Sequence, residues 1–114
     1  ACLLNDGEYD LGGQRVIVKG EEARLPEGNL AGSLLTLDRA IRNLMENTGI
    51  GIADAVKTVT INPARLLQIE ESKGSIKVGS DADFTIFDKN INIFSAYLKG
   101  NKIYERYENE GNYM

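Results

Sequence analysis

Residues 73–88 read K-G-S-I-K-V-G-S-D-A-D-F-T-I-F-D, and within them the hydrophobic period changes. Ala82, Phe84 and Ile86 alternate with Asp83, Thr85 and Phe87, which is the two-residue period of a strand. Upstream the period is helical. Leu34, Leu37, Ile41, Leu44 and Met45 recur at steps of three and four, so they share one helix face. Thr36 suits the helix start and Asp38 its first turn. Gly49 suits the end, where a left-handed residue is often needed. A second helix is expected over residues 52–60, with Ile52, Ala55, Val56 and Val59 inward. Asn62-Pro63 reads as the N-cap and first position of a third, short helix reaching Gln68. Downstream, residues 82–87 and 91–98 read as strands, and K-G-N-K at 99–102 as a tight turn. Residues 103–107 return from that turn to complete a hairpin. The tail 108–114, E-N-E-G-N-Y-M, is expected to fray.

Towards the N-terminus, N-D-G-E-Y-D-L-G-G at 5–13 is rich in turn formers. R-V-I-V-K at 15–19 has the β-branched content of a strand, and Ala23 to Leu25 pair back on it as a short hairpin. The stretch 27–38, E-G-N-L-A-G-S-L-L-T-L-D, is a bare loop directly ahead of a helix. Its small residues have two readings. They shape a tight turn into the helix, or they let a ligand approach the backbone of Leu30, Ala31 and Gly32. The order is a hairpin, three helices, then three or four strands, a mixed α and β chain. The polar E-E-S-K-G at 70–74 reads as a break, with the helices and last strands in different packing units.

Composition narrows the function. The chain has 114 residues, 42% of them hydrophobic, enough for one small domain or part of a larger one. Its net charge is −4, from 17 acidic and 13 basic residues. The basic residues are scattered, which argues against a nucleic-acid partner. Cys2 is the sole cysteine, so no internal disulfide forms; this suits a reducing, cytoplasmic location. No apolar run approaches the roughly 18 residues of a membrane helix, and A-C-L-L-N-D lacks the pattern of a signal peptide. Histidine is absent. That excludes a histidine base, a histidine metal ligand and a histidine-dependent triad in this chain. With one cysteine, the usual structural zinc sites are excluded too.

Other candidates have plainer readings. Asp81 and Asp83 share a strand face, but two carboxylates do not fill the roughly six to eight oxygen positions of calcium. A solvated turn is expected there. Tyr97, Tyr104 and Tyr107 suit sheet packing better than base stacking in an acidic chain. Cys2 has no activating partner in sequence.

Several stretches together carry a resemblance. I-N-P-A-R-L-L at 61–67, followed by 73–88, resembles the C-terminal end of metal-dependent amidohydrolases. D-G-E-Y-D-L-G-G at 6–13 and G-N-L-A-G-S-L-L-T-L-D-R-A at 28–40 are similar to the N-acetylglucosamine-6-phosphate deacetylases within that group. The match runs from about Asn5 to Glu105.

The resemblance implies a fold. Residues 1–72 would be the C-terminal remnant of a (β/α)8 amidohydrolase barrel, a β-hairpin plus about three helices. Residues 73–114 would be C-terminal strands of the small β-sandwich domain beside it. The implied reaction is hydrolysis of N-acetylglucosamine 6-phosphate to glucosamine 6-phosphate and acetate. In the full-length family a divalent metal, zinc or iron, activates water and an aspartate moves protons. Those metal ligands and that aspartate lie upstream of the matched residues. The resemblance therefore gives this chain no catalytic residue, no metal ligand and no activity alone, and Asp6 and Asp10 fall in the following loop. Its L-[AS]-G segment lines the sugar-phosphate site with backbone, which makes Leu30, Ala31 and Gly32 the substrate-binding residues here. An amino-sugar phosphate substrate and a homo-oligomer are the expected partners, with no nucleic acid or membrane. Two alternatives stand beside this one: a part of another amidohydrolase, and a free-standing binding or assembly module.

Overall fold

The structure, a computed structural model, describes residues 4–107. Cys2 and the tail 108–114 lie outside them. The chain divides into two compact units, Ala1–Ala40 and Ile41–Met114.

In the first unit the alternation of R-V-I-V-K does what its period dictates. Val16 and Val18 point to one side and are buried with Ala23, under Tyr9, Leu25, Ala31 and Leu34. Four antiparallel strands build this face in the order β1-β2-β3-β4: β1 Gly7–Leu11, β2 Gln14–Lys19, β3 Glu22–Arg24 and β4 Leu30–Ser33. Two of these strands were not expected. The turn-rich 5–13 stretch forms β1, because Tyr9 sits opposite Val16 and covers the valine core. The bare 27–38 stretch opens with β4, because Ala31 covers the same core.

The helix α1, Leu37–Thr48, begins one residue after Thr36, whose carbonyl accepts from the Ala40 N–H at 2.9 Å. Its expected stop at Gly49 holds, with φ +73° and an N–H donated to Met45 at 2.9 Å. The second unit continues with α2 Ile52–Lys57, α3 Ile61–Leu66, and the antiparallel sheet β5-β6-β7. These strands are β5 Phe84–Phe87, β6 Ile93–Leu98 and β7 Asn101–Glu105. The β6–β7 turn is the two-residue Lys99-Gly100 pair, with φ +49° and +80°, the left-handed pair a tight hairpin requires.

Helix boundaries differ from the periodic reading for local reasons. α2 ends at Lys57 because Thr58 and Thr60 turn their hydroxyls back onto the carbonyls of Ala55 (2.6 Å) and Val56 (2.8 Å). Ile52, expected inward, is exposed. α3 begins at Ile61 with Thr60 as N-cap, so Asn62 is not the cap. Pro63 sits third in the helix, still in the first turn, where no intrahelical N–H bond is lost.

The expected separation of helices and last strands into different packing units is corrected. Ile41, Ala55 and Ile91 form one buried cluster, with Leu44, Met45, Phe87 and Ile93 against it. Two irregularities bring the sheet side to this core. A bulge between Ile86 and Phe87 breaks the alternation. Ile91 has φ +62°, so the strand expected from 91 starts at Ile93. Asp88 fixes that corner: its Oδ1 accepts from the N–H of Asn90 (2.8 Å) and of Asn92 (3.0 Å). These bonds, led by those from Asn92, hold the Asp88 carboxyl below the usual carboxylate range. Arg42 Nη1 donates to the Ile91 carbonyl at 2.8 Å.

Asp81 and Asp83 are not a solvated turn. Lys73 pairs with Asp81 at 2.8 Å and with Asp83, and all three side chains are about two-thirds covered. Asp83 Oδ1 also accepts from the Lys99 N–H at 2.8 Å. The Lys73 bond first, then the Lys99 N–H, lower the Asp83 pKa below the usual range. Folded Asp83 therefore gives up its proton more readily than unfolded Asp83, and unfolding takes up protons in acid. Its contribution to stability is complete above its ordinary value of about 3.9 and is lost as pH falls through the lower folded value. Asp83→Asn should be less stable than wild type at neutral pH. Denaturation midpoints of the two should converge in acid, as pH falls through the lowered folded value of Asp83. An equal gap at neutral pH and in acid would contradict this.

Candidate functional site

The three residues singled out by sequence, Leu30, Ala31 and Gly32, stand together on β4 at the outer edge of the four-stranded sheet. They form a strand edge rather than the expected loop. Among the described residues β4 pairs with β3 on one side only, so alternate N–H and C=O groups on its other side have no strand partner there. Leu30 is 66% exposed, while Ala31 is half-buried against the valine core. A Cβ built on Gly32 would meet nothing within 4 Å. Among the described residues of this chain, nothing blocks close approach to the backbone at Gly32. Ser33 ends the strand by accepting the Leu35 N–H on its hydroxyl at 3.0 Å, which directs the chain towards α1.

Register along this edge is irregular. Ala23 opposes Gly32 and Arg24 opposes Leu30, with a bulge between them that leaves Ala31 without a residue opposite. The connecting turn is closed by the Leu25 N–H to Asn29 O and the Gly28 N–H to Leu25 O, both 2.8 Å. Arg24 braces the turn, a residue that the sequence reading did not single out. Its one legible signal is its place at a strand end just before Pro26 and Gly28.

Asp6 and Asp10 serve turns. Asp6 Oδ1 accepts from the Gly20 N–H at 2.8 Å and Asp10 Oδ1 from the Gly13 N–H at 2.9 Å. Among the described residues no group of three or more His, Cys, Asp or Glu side chains converges. The donor set does not fit a divalent metal, and Asp81 and Asp83 are already matched by the Lys73 ammonium. In the second unit a cavity of about 860 Å³ is lined by Val56, Val59, Leu67, Phe84, Tyr97 and Ile103 among others. Phe84 stacks on Tyr97 at 4.5 Å. The charged groups at this cavity, Lys73 and Asp83, bond each other, and most of the remaining lining is apolar. Among the described residues no helix is long and apolar enough to cross a membrane.

The sequence profile of the Amidohydrolase family matches residues 13–112. The N-acetylglucosamine-6-phosphate deacetylase of Caenorhabditis elegans is 38% identical over 105 residues, covering 91% of this chain and 25% of that protein. The N-acetylgalactosamine-6-phosphate deacetylase of Escherichia coli O157:H7 is 36% identical over 100 residues, covering 88% of this chain and 26% of that one. Among solved structures, the N-acetylglucosamine-6-phosphate deacetylase of Thermotoga maritima superposes with a TM-score of 0.80 at 30% identity, covering 92% of this chain and 29% of that one. The chain thus spans about a quarter of the length of the relatives it matches. Its mixed α and β fold is like that of these deacetylases, and the profile match extends over most of its length. The chain belongs to the Amidohydrolase family.

Proposed function

We propose that the chain is the C-terminal part of an N-acetylglucosamine-6-phosphate deacetylase, which hydrolyses N-acetylglucosamine 6-phosphate to glucosamine 6-phosphate and acetate. One observation carries the role of these residues: the open edge of β4 at Leu30, Ala31 and Gly32, with empty space over Gly32. Outward N–H groups on such an edge donate to the oxygens of a sugar phosphate, and outward carbonyls accept from sugar hydroxyls. The absence of a side chain at Gly32 lets the ligand reach the main chain. The chain binds and orients; the acid–base and metal chemistry, zinc or iron in this reading, belongs to residues outside it. In the same reading residues 1–72 complete the barrel and residues 73–114 contribute strands to the small β-domain, the two meeting at the shared core of Ile41, Ala55 and Ile91. A homo-oligomer and a cytoplasmic location belong to the same reading.

A second reading, N-acetylgalactosamine 6-phosphate as substrate, is favoured by the 36% identity to the Escherichia coli O157:H7 relative. The two sugars differ at one hydroxyl, and a site built to bond that hydroxyl discriminates strongly. Purified full-length protein carrying these residues is expected to release acetate from N-acetylglucosamine 6-phosphate faster than from the galactosamine isomer. The 114-residue chain alone is expected to release none, with or without added zinc or iron. Acetate release by the chain alone, after removal of contaminants, would contradict the division of labour. Preference for the isomer would select the second reading.

A further inference from the structure

We propose that Arg24 is a positioning residue that sets the register of β4; the inference rests on the substrate reading of that strand. Arg24 Nε donates to Glu22 Oε2 at 2.7 Å, and Nη1 donates to the Gly28 carbonyl at 2.6 Å. One guanidinium thus ties β3 to the turn two residues before Leu30. The tie stands beside the bulge, where Ala23 opposes Gly32 and Arg24 opposes Leu30. A bulge is where register can shift, and a one-residue slip reverses the direction of every backbone group and side chain along the strand. Such a slip would turn the N–H and C=O groups at Leu30–Gly32 that face outward back towards β3.

A planar fork suits this task. It holds two acceptors in a fixed relation, which a lysine ammonium does not. The bond from Arg24 also holds the Glu22 carboxyl below the usual range. The side chains are 41% and 57% exposed, and an ion pair so exposed contributes little to overall stability. Loss of Arg24 should therefore move substrate binding while leaving the fold intact.

The test is steady-state kinetics on N-acetylglucosamine 6-phosphate, with thermal unfolding alongside, in the full-length protein. The variants are Arg24→Met, Arg24→Lys, Glu22→Gln and Gly32→Val. Arg24→Met is expected to raise KM about threefold with kcat and Tm nearly unchanged. Arg24→Lys should also raise KM, because it lacks the fork. Glu22→Gln keeps an acceptor oxygen and the Gly28 bond, so its KM should stay near wild type. A wild-type KM in Arg24→Met with a raised KM in Gly32→Val overturns the positioning role and leaves the substrate reading standing. Wild-type KM in both overturns both. A fall in Tm with KM unchanged marks a merely structural brace and overturns the proposal. Should Arg24→Met fail to fold, Arg24→Lys decides: a raised KM supports the role and an unchanged one overturns it.

Discussion

Replacing Gly74 with alanine should destabilise the chain by about 3 kcal/mol. Gly74 has φ +90°, a conformation that costs a side-chain-bearing residue on the order of 1–2 kcal/mol. Space is also lacking. An added Cβ would lie 2.8 Å from Ala64 Cβ, 3.0 Å from the Thr60 carbonyl oxygen and 3.1 Å from Ile61 Cα. Two of these three atoms are backbone at the start of α3, so no flexible side chain can swing aside. Relief requires the helix to move from Gly74, and overpacking of this kind costs about 1–3 kcal/mol. Urea denaturation followed by far-ultraviolet circular dichroism measures the loss. A change below about 1 kcal/mol would show that the approach of Gly74 to α3 is looser than described.

Gly32→Val should have the opposite character, a large loss of function with the fold intact. Nothing lies within 4 Å of the position its Cβ would take. Valine is also well suited to a strand. In full-length protein the variant should unfold at the wild-type temperature. Its kcat/KM on N-acetylglucosamine 6-phosphate should fall about a hundredfold, because two methyl groups hold the ligand away from the main chain. Most of the loss should lie in KM, since main-chain contacts hold the sugar phosphate before and during reaction alike. A folded variant with wild-type kinetics would remove Gly32 from the site.

What the sequence revealed, and what it hid, follows from the range of the forces involved. β2 and α1 were legible because their cores are local and periodic: Val16 with Val18, and Ile41 with Leu44 and Met45. The β6–β7 hairpin was legible from Lys99-Gly100. β1 and β4 were not, because glycine and aspartate in β1 and small residues in β4 have low strand propensity. Pairing across the sheet overrides that propensity, through Tyr9 opposite Val16 and Ala31 against the same core. The shared core of helices and last strands was hidden for a related reason. It depends on Ile91, whose left-handed backbone is fixed by Asp88 and Arg42, and no periodic pattern encodes that corner. Among the candidate site residues, Leu30, Ala31 and Gly32 were favoured over a plain turn only through resemblance, since small residues ahead of a helix serve turns equally well. Arg24 gave only the weak sign of its place just before Pro26 and Gly28. Its role depends on the Gly28 carbonyl, four residues along the chain and brought within reach only by the turn.

Backbone hydrogen exchange tests the central claim, that the outer edge of β4 meets an amino-sugar phosphate. Full-length protein is exchanged with and without saturating glucosamine 6-phosphate, and amides are compared strand by strand. Leu30–Gly32 should contain amides that exchange at least tenfold more slowly with the sugar phosphate, because an open strand edge gains hydrogen-bond acceptors. Amides of β5 to β7 should be unchanged. Unaltered exchange throughout Leu30–Gly32, in protein shown to be saturated, would contradict the account.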